Sequence, residues 1–225
     1  MLQTGGVNAE HPLLAVQLAA AAGRFPPVDG AVDFVPALPK GLRAVVSFTG
    51  HSYVATDQAP AQFADLPVDG FGGVLQPEVL LRLGEGGYRF GHLDAILVGR
   101  GTGPASADSR SGSARLPRQL QLDDHPRVQF ARAQRDDVRV FADERGLVTL
   151  ASGVAGRLEL SIEVESDRIG GGTGRGLLHD ALQLVPARTP VFAAVTPGNA
   201  RSLRMFLASG FHPIGSQILA LPPQG

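Results

Sequence analysis

The stretch EVESDRIGGGTGRGLL (Glu163–Leu178) places Gly170, Gly171, Gly172, Thr173 and Gly174 where an alternating run becomes a helical one, with Arg175 just after. A helix N-terminus leaves several backbone N–H groups unpaired, and they carry partial positive charge. Glycines immediately before it let a bulky anion come close to the backbone. The stretch therefore reads as a phosphate-binding strand–turn–helix, and Arg175 can add a charge-assisted contact. Upstream, Glu159, Ser161, Glu163 and Glu165 share one face of the strand. Carboxylates so spaced can take a proton or attract a cation; a plain solvated face is the bland alternative.

Two familiar phosphate motifs do not fit. Gly171 and Gly176 have the spacing of a P-loop, but Leu177 and Leu178 stand where Lys and a hydroxyl residue are needed. A dinucleotide fingerprint starting at Gly170 ends on Arg175, and one starting at Gly172 ends on Leu177. A second glycine-rich stretch, Gly99–Gly103, follows a strand but precedes no helix, and reads as a turn. His51 and Ser52 resemble half a nucleophile elbow; Val54 replaces its second glycine, which argues against a hydrolase.

The elements that must hold the glycine turn are plain. Residues 137–151 read as a hairpin turning at Glu144–Gly146, and residues 156–168 alternate, with Leu158, Leu160, Ile162 and Val164 on the apolar face. After the glycines, Leu178, Ala181, Leu182 and Val185 form a helical stripe that Pro186 stops. A strand over 190–196 follows. Then comes a helix capped by Asn199 and closed by Gly210, and a final strand segment over 211–221 in one piece or two. The order is β-β-β-α-β-α-β. In the first half the patterns predict helices over 13–22 and 76–84, strands over 42–48, 52–56 and 93–99, and a loop or linker over 101–118.

Composition narrows the classes. At 225 residues and 44% apolar the chain can bury a proper core. There is no cysteine, hence no disulfide, thiolate metal site or Cys nucleophile. A net charge of −1 argues against nucleic acid as a partner. No apolar run approaches the ~18 residues of a membrane span, and no secretion signal is read at the N-terminus, so the expected location is cytoplasmic.

With the motifs in view, the chain resembles the GCN5-related N-acetyltransferases over roughly Arg127 to the C-terminus. The turn of that family ends G-x-G-R, matched by Gly172, Thr173, Gly174 and Arg175. Val164 takes its first position, Ser166 stands where Pro is common, Arg168 takes the aromatic position and Ile169 the Gln/Arg position. A later motif, Asn-x-x-(Ala/Ser)-x-x-x-(Tyr/Phe)-x-x-x-Gly-Phe, is matched by Asn199, Ser202, Phe206, Gly210 and Phe211.

The resemblance implies a mixed α+β sheet of the acyl-CoA N-acyltransferase kind. It also implies acetyl-coenzyme A (acetyl-CoA) as co-substrate, direct attack of a primary amine on the thioester, and no metal. The pantetheine arm would lie along Ile162, Glu163 and Val164. The pyrophosphate would sit on the N–H groups of Gly170, Gly171, Gly172, Thr173, Gly174 and Arg175, with further coenzyme contacts from Ile169, Asn199, Ser202 and Phe206. The strands around 158–165 and 190–196 would splay to admit the thioester. Many members protonate the leaving thiolate with a Tyr, but here that position is Phe206; others place a Glu where Ala194 or Leu158 stands. Glu159, Glu163 and Glu165 remain as candidate catalytic carboxylates. A non-catalytic acyl-CoA-binding or regulatory module is the alternative.

The resemblance does not extend clearly into residues 1–104. They read either as part of one elaborated domain or, preferably, as a separate N-terminal lobe, a degenerate second copy of the fold. Residues 105–118 would then link that lobe to the domain over 119–225, with the substrate between the lobes. Expected partners are acetyl-CoA and an unidentified amine acceptor, with a homodimer as one open assembly.

Overall fold

The computed structural model describes residues 10–104, 118–168 and 170–223. Three of its helices begin at capping residues that are visible in the sequence. His11 and His125 each precede a proline, and their side chains accept a hydrogen bond from the amide two residues on, Leu13 and Arg127, both at 3.2 Å. Proline at the first helical position has no N–H to leave unsatisfied. Asn199 caps likewise, accepting from the Ser202 amide at 3.1 Å.

In chain order the elements are α1 (Pro12–Ala21), β1 (Val32–Val35), β2 (Arg43–Phe48), β3 (His51–Ala55), α2 (Pro77–Leu83), β4 (Arg89–Arg100) and β5 (Arg118–Leu120). Then follow α3 (Pro126–Gln134), β6 (Asp136–Asp143), β7 (Gly146–Ser152), β8 (Leu158–Val164), α4 (Thr173–Leu182), β9 (Pro190–Val195), α5 (Ala200–Ala208) and β10 (His212–Leu221). The strands form one ten-stranded mixed sheet, ordered β1-β3-β2-β10-β4-β9-β8-β7-β6-β5. From β6 onward the order is the β-β-β-α-β-α-β expected, and the final segment is one strand with two register shifts.

Helices cover both faces. Ile96, Val98 and Phe192 pack with α1 on one face, and Val128 of α3 packs against Val140 and Leu147 on the same side. On the other, Leu97, Leu150 and Val191 pack against Leu177, Leu178 and Ala181 of α4 and Phe206 of α5, while Val45 and Val54 pack against Val79 and Leu83 of α2.

The C-terminal strand β10 lies between β2 and β4, both drawn from residues 1–104, and β4 pairs with β9. The sheet is therefore continuous across the sequence segment read as a linker, of which residues 105–117 lie outside the described residues. Three elements have no counterpart among the predicted ones: the short strands β1 and β5, and the helix α3.

Candidate functional site

β8 and β9 run parallel, and Glu159 opposite Phe192 is the one ladder position recorded between them. Beyond it they diverge. The Glu165 amide binds the Arg145 carbonyl (3.0 Å) on the β7 side. Successive residues of a strand point their backbone groups to alternate edges, so the amides of Ile162 and Val164 face the gap. The gap exposes an unpaired strand edge, the kind that an extended ligand can complete by adding as a strand.

The edge leads into the glycine bend. Gly170, Gly171 and Gly172 adopt φ of +126°, +55° and +85°, a left-handed run that side-chain-bearing residues resist. Thr173 donates its amide to the Gly170 carbonyl (3.0 Å), and Gly176 makes the first helical bond to Gly172 (3.0 Å). Among the described residues, the amides of Gly171, Gly172, Gly174 and Arg175 have no acceptor. The bend is exposed, and a Cβ added at Gly170 or Gly171 would meet nothing within 4 Å. These are unsatisfied helix-start donors open to solvent, which is what an oxyanion needs.

Edge and bend border one cleft of about 780 Å³ between β8, α4 and α5. Its walls hold Ile162, Glu163, Val164, Gly170 to Gly174, Arg175, Asn199 and Ser202. Of the expected coenzyme contacts, then, eleven residues converge on one cavity. Ile169 lies outside the described residues. Phe206 is the departure: it is buried in the core, ring to ring with Phe211 at 4.9 Å, and does not line the cleft. α5 presents Met205 there instead, whose Sδ would lie 2.7 Å from a Cβ on Gly174.

Arg127, Arg201 and Arg204 also line the cleft, and the sequence reading had not placed them there. Arg201 and Arg204 stand one turn apart on α5, a spacing that puts them on one helical face. With Arg175, they have no acidic partner among the described residues. Four arginines against one carboxylate make a site for a multiply charged anion.

The three candidate carboxylates have separated. Glu163 lines the cleft and is held by an ion pair from the Arg127 guanidinium. Glu165 is exposed and outside the cleft walls. Glu159 is buried at 3% exposure, against the expectation of a polar face available for proton transfer. It accepts from Arg135 Nε (2.6 Å), Arg157 Nε (2.9 Å) and the Val154 amide (3.1 Å). Burial alone would raise its pKa, but Arg157 and Arg135 outweigh burial and hold it at about 2. A carboxylate so stabilised is a poor proton acceptor near neutral pH. Its work is structural: it neutralises the buried Arg157, which also donates to Gln217 Oε1 (2.7 Å) and lies over the Phe192 ring. Ser161 bonds Thr149 (2.8 Å). The polar face is thus covered at its Glu159 end and left open toward Glu165, with Arg127 and Arg135 reaching Glu163 and Glu159 from the two ends of α3.

Among the described residues no group of acidic, His or Cys side chains is arranged to hold a metal, and no helix is long and apolar enough to cross a membrane.

No family model matches the chain, and no curated protein matches it. Solved structures similar to it include a conserved protein of unknown function from Staphylococcus epidermidis, 15% identical with a TM-score of 0.40 over 64% of this chain and 66% of the other. A putative acetyltransferase of the GNAT family from Novosphingobium aromaticivorans is 14% identical, TM-score 0.38, over 61% of this chain and 69% of that one. A GCN5-related N-acetyltransferase from Kribbella flavida is 11% identical, TM-score 0.40, over 98% of each chain. The element order seen in this chain is the one that the residue patterns predict, and the splay between β8 and β9 is the one that the sequence resemblance implies.

Proposed function

We propose that this protein is an acetyl-CoA-dependent N-acetyltransferase acting on a primary amine. The observation that carries the reading is the convergence of two unsatisfied backbone surfaces. The open edge of β8 and the glycine bend, separated by one turn at Ser166–Arg168, line the same arginine-rimmed cleft. A pantetheine arm suits the first surface and a diphosphate the second.

In the reaction, the neutral amine nitrogen attacks the thioester carbonyl carbon. The C–S bond breaks as the N–C bond forms. The nitrogen gives up one proton and the departing sulfur takes up one, giving the amide and free coenzyme A. The free amide of Val164 at the edge is the candidate donor to the carbonyl oxygen as it gains charge. Positioning supplies most of the remaining rate gain. Neither Phe206, which has no proton to give, nor the locked Glu159 contributes acid–base catalysis. These same two facts favour a second reading, a module that binds acyl-CoA without turnover.

Adding about 1 mM acetyl-CoA should raise Tm, since a ligand at 100 times its Kd stabilises by about 2.7 kcal/mol. An unchanged Tm would defeat both readings. Release of coenzyme A thiol across an amine panel decides between them: steady turnover supports the transferase, and binding with uniform silence supports the module.

A further inference from the structure

A second cavity, of about 330 Å³, opens beside α3, on the sheet face opposite α4 and α5. Its walls are mostly apolar: Phe90 on β4, Phe130 on α3, and Leu219 and Leu221 on β10. Asp94 is the one carboxylate among its lining residues. It is half-buried on β4, next to the open end of β9, where the Thr196 hydroxyl donates to its Oδ1 at 2.7 Å. Its Oδ2 has no hydrogen-bond partner among the described residues. Asp94 thus sits one hydrogen bond from the strand whose divergence opens the splay. α3 borders both cavities, with Arg127 in the cleft and Phe130 and Gln134 in this one.

We infer that this cavity takes the acceptor, a monoamine with a compact apolar body, and that Asp94 anchors its ammonium and removes the proton that frees the nitrogen lone pair. The inference rests on the acetyltransferase reading. The ammonium gives one proton to the Asp94 carboxylate, which passes it to solvent. The neutral nitrogen attacks the thioester carbon, and its second proton ends on the coenzyme A sulfur. Arg89, the guanidinium of the lining, disfavours polycations such as polyamines.

The surroundings suit a proton acceptor. Burial pushes the Asp94 carboxyl above the usual range, and the Glu159 charge adds to this. The Thr196 hydrogen bond and the His92 and Arg135 charges oppose it. A base is most effective when its pKa approaches the working pH. Loss of a positioned base typically costs about 10²–10⁴-fold in rate.

Titration of 2-phenylethylamine and spermidine into the coenzyme A-bound protein tests the pocket directly. We expect 2-phenylethylamine to bind more tightly, and Asp94→Asn to weaken it at least tenfold while acetyl-CoA affinity stays within twofold. Turnover with 2-phenylethylamine should fall a hundredfold or more in that variant and recover in part in Asp94→Glu. The acid limb of the pH–rate profile should disappear with the carboxylate. Tm at pH 7 should not fall, because a desolvated charge has been removed. Preference for spermidine, absence of amine binding, or unchanged amine binding in Asp94→Asn would overturn the assignment. So would loss of acetyl-CoA binding in that variant, which would make the residue a general support. A wild-type protein that binds the amine at Asp94 yet ignores acetyl-CoA would instead sink the acetyltransferase reading and leave the pocket standing.

Discussion

Two glycine-rich stretches follow strands in this chain, and they have opposite uses. At Gly99–Gly103 the backbone is buried against other backbone. A Cβ on Gly101 would lie 2.4 Å from the Pro186 carbonyl oxygen, and one on Gly103 would lie 2.0 Å from that of Gln183. The amides of Gly101, Thr102 and Gly103 are spent on Thr189, Leu182 and Val185 (2.9 Å each). At Gly170–Gly174 the bend faces solvent, most of its amides are unused, and three left-handed residues in a row turn them outward. Both stretches need small residues, one to let two chain segments touch and the other to leave room for something that is not protein. Composition alone does not distinguish these uses; what lies above the glycines does.

The difference can be broken most severely at Gly103. Gly103→Ala forces a methyl into a carbonyl oxygen and should cost about 3 kcal/mol, read as a lowered urea midpoint. An unfolding free energy within ~0.5 kcal/mol of the parent would mean that the contact relaxes freely. Glu159→Gln tests the frame below the splay. It leaves Arg157 buried without its counter-charge and should cost about 3 kcal/mol at pH 7. The native Glu159 carboxyl titrates below its unfolded value, so its contribution is full above pH 4.5 and is lost as pH falls toward about 2. The gap between Glu159→Gln and parent should close over that range, and a gap independent of pH would refute the ion-pair account.

The open stretch should respond in binding rather than in folding. Gly174→Glu fills the bend and repels a diphosphate. Acetyl-CoA affinity should drop about 100-fold, roughly 2.7 kcal/mol, while the urea midpoint changes far less than in Gly103→Ala. Equal losses of stability at the two positions would erase the distinction between them. The smallest effect is expected at the rim. Arg201→Ala or Arg204→Ala should each weaken acetyl-CoA by about five- to tenfold, close to 1 kcal/mol, and less so at high salt. Salt-insensitive losses would point to packing instead of charge.

How much was legible followed the distance along the chain. The glycine bend, the cap at Asn199 and the alternation of β8 are local features, each set by residues within a few positions of one another, and each was readable as sequence. Glu159 was readable as one of four polar residues on a strand face, but not as buried, because its partner Arg135 arrives from a nine-residue helix that carries only a faint apolar stripe. The capping pair His125–Pro126 was the one local signal for that helix. Phe206 illustrates the converse. Its place in a motif suggested the cleft, yet the turn of α5 directs it into the core and gives the cleft to Met205.

The sequence by itself determined that a strand would end in a side-chain-free bend and restart as a helix with donors to spare, since backbone conformation there depends on adjacent residues only. Tertiary structure alone decided that the bend stays uncovered and that β8 and β9 part after a single ladder position. It also gathered Arg127, Arg201 and Arg204 around the opening and set Asp94 beside Thr196, 102 positions away. Such proximity arises from sheet order, and sheet order is settled by which apolar faces find each other across the whole chain, something that no short window of residues encodes.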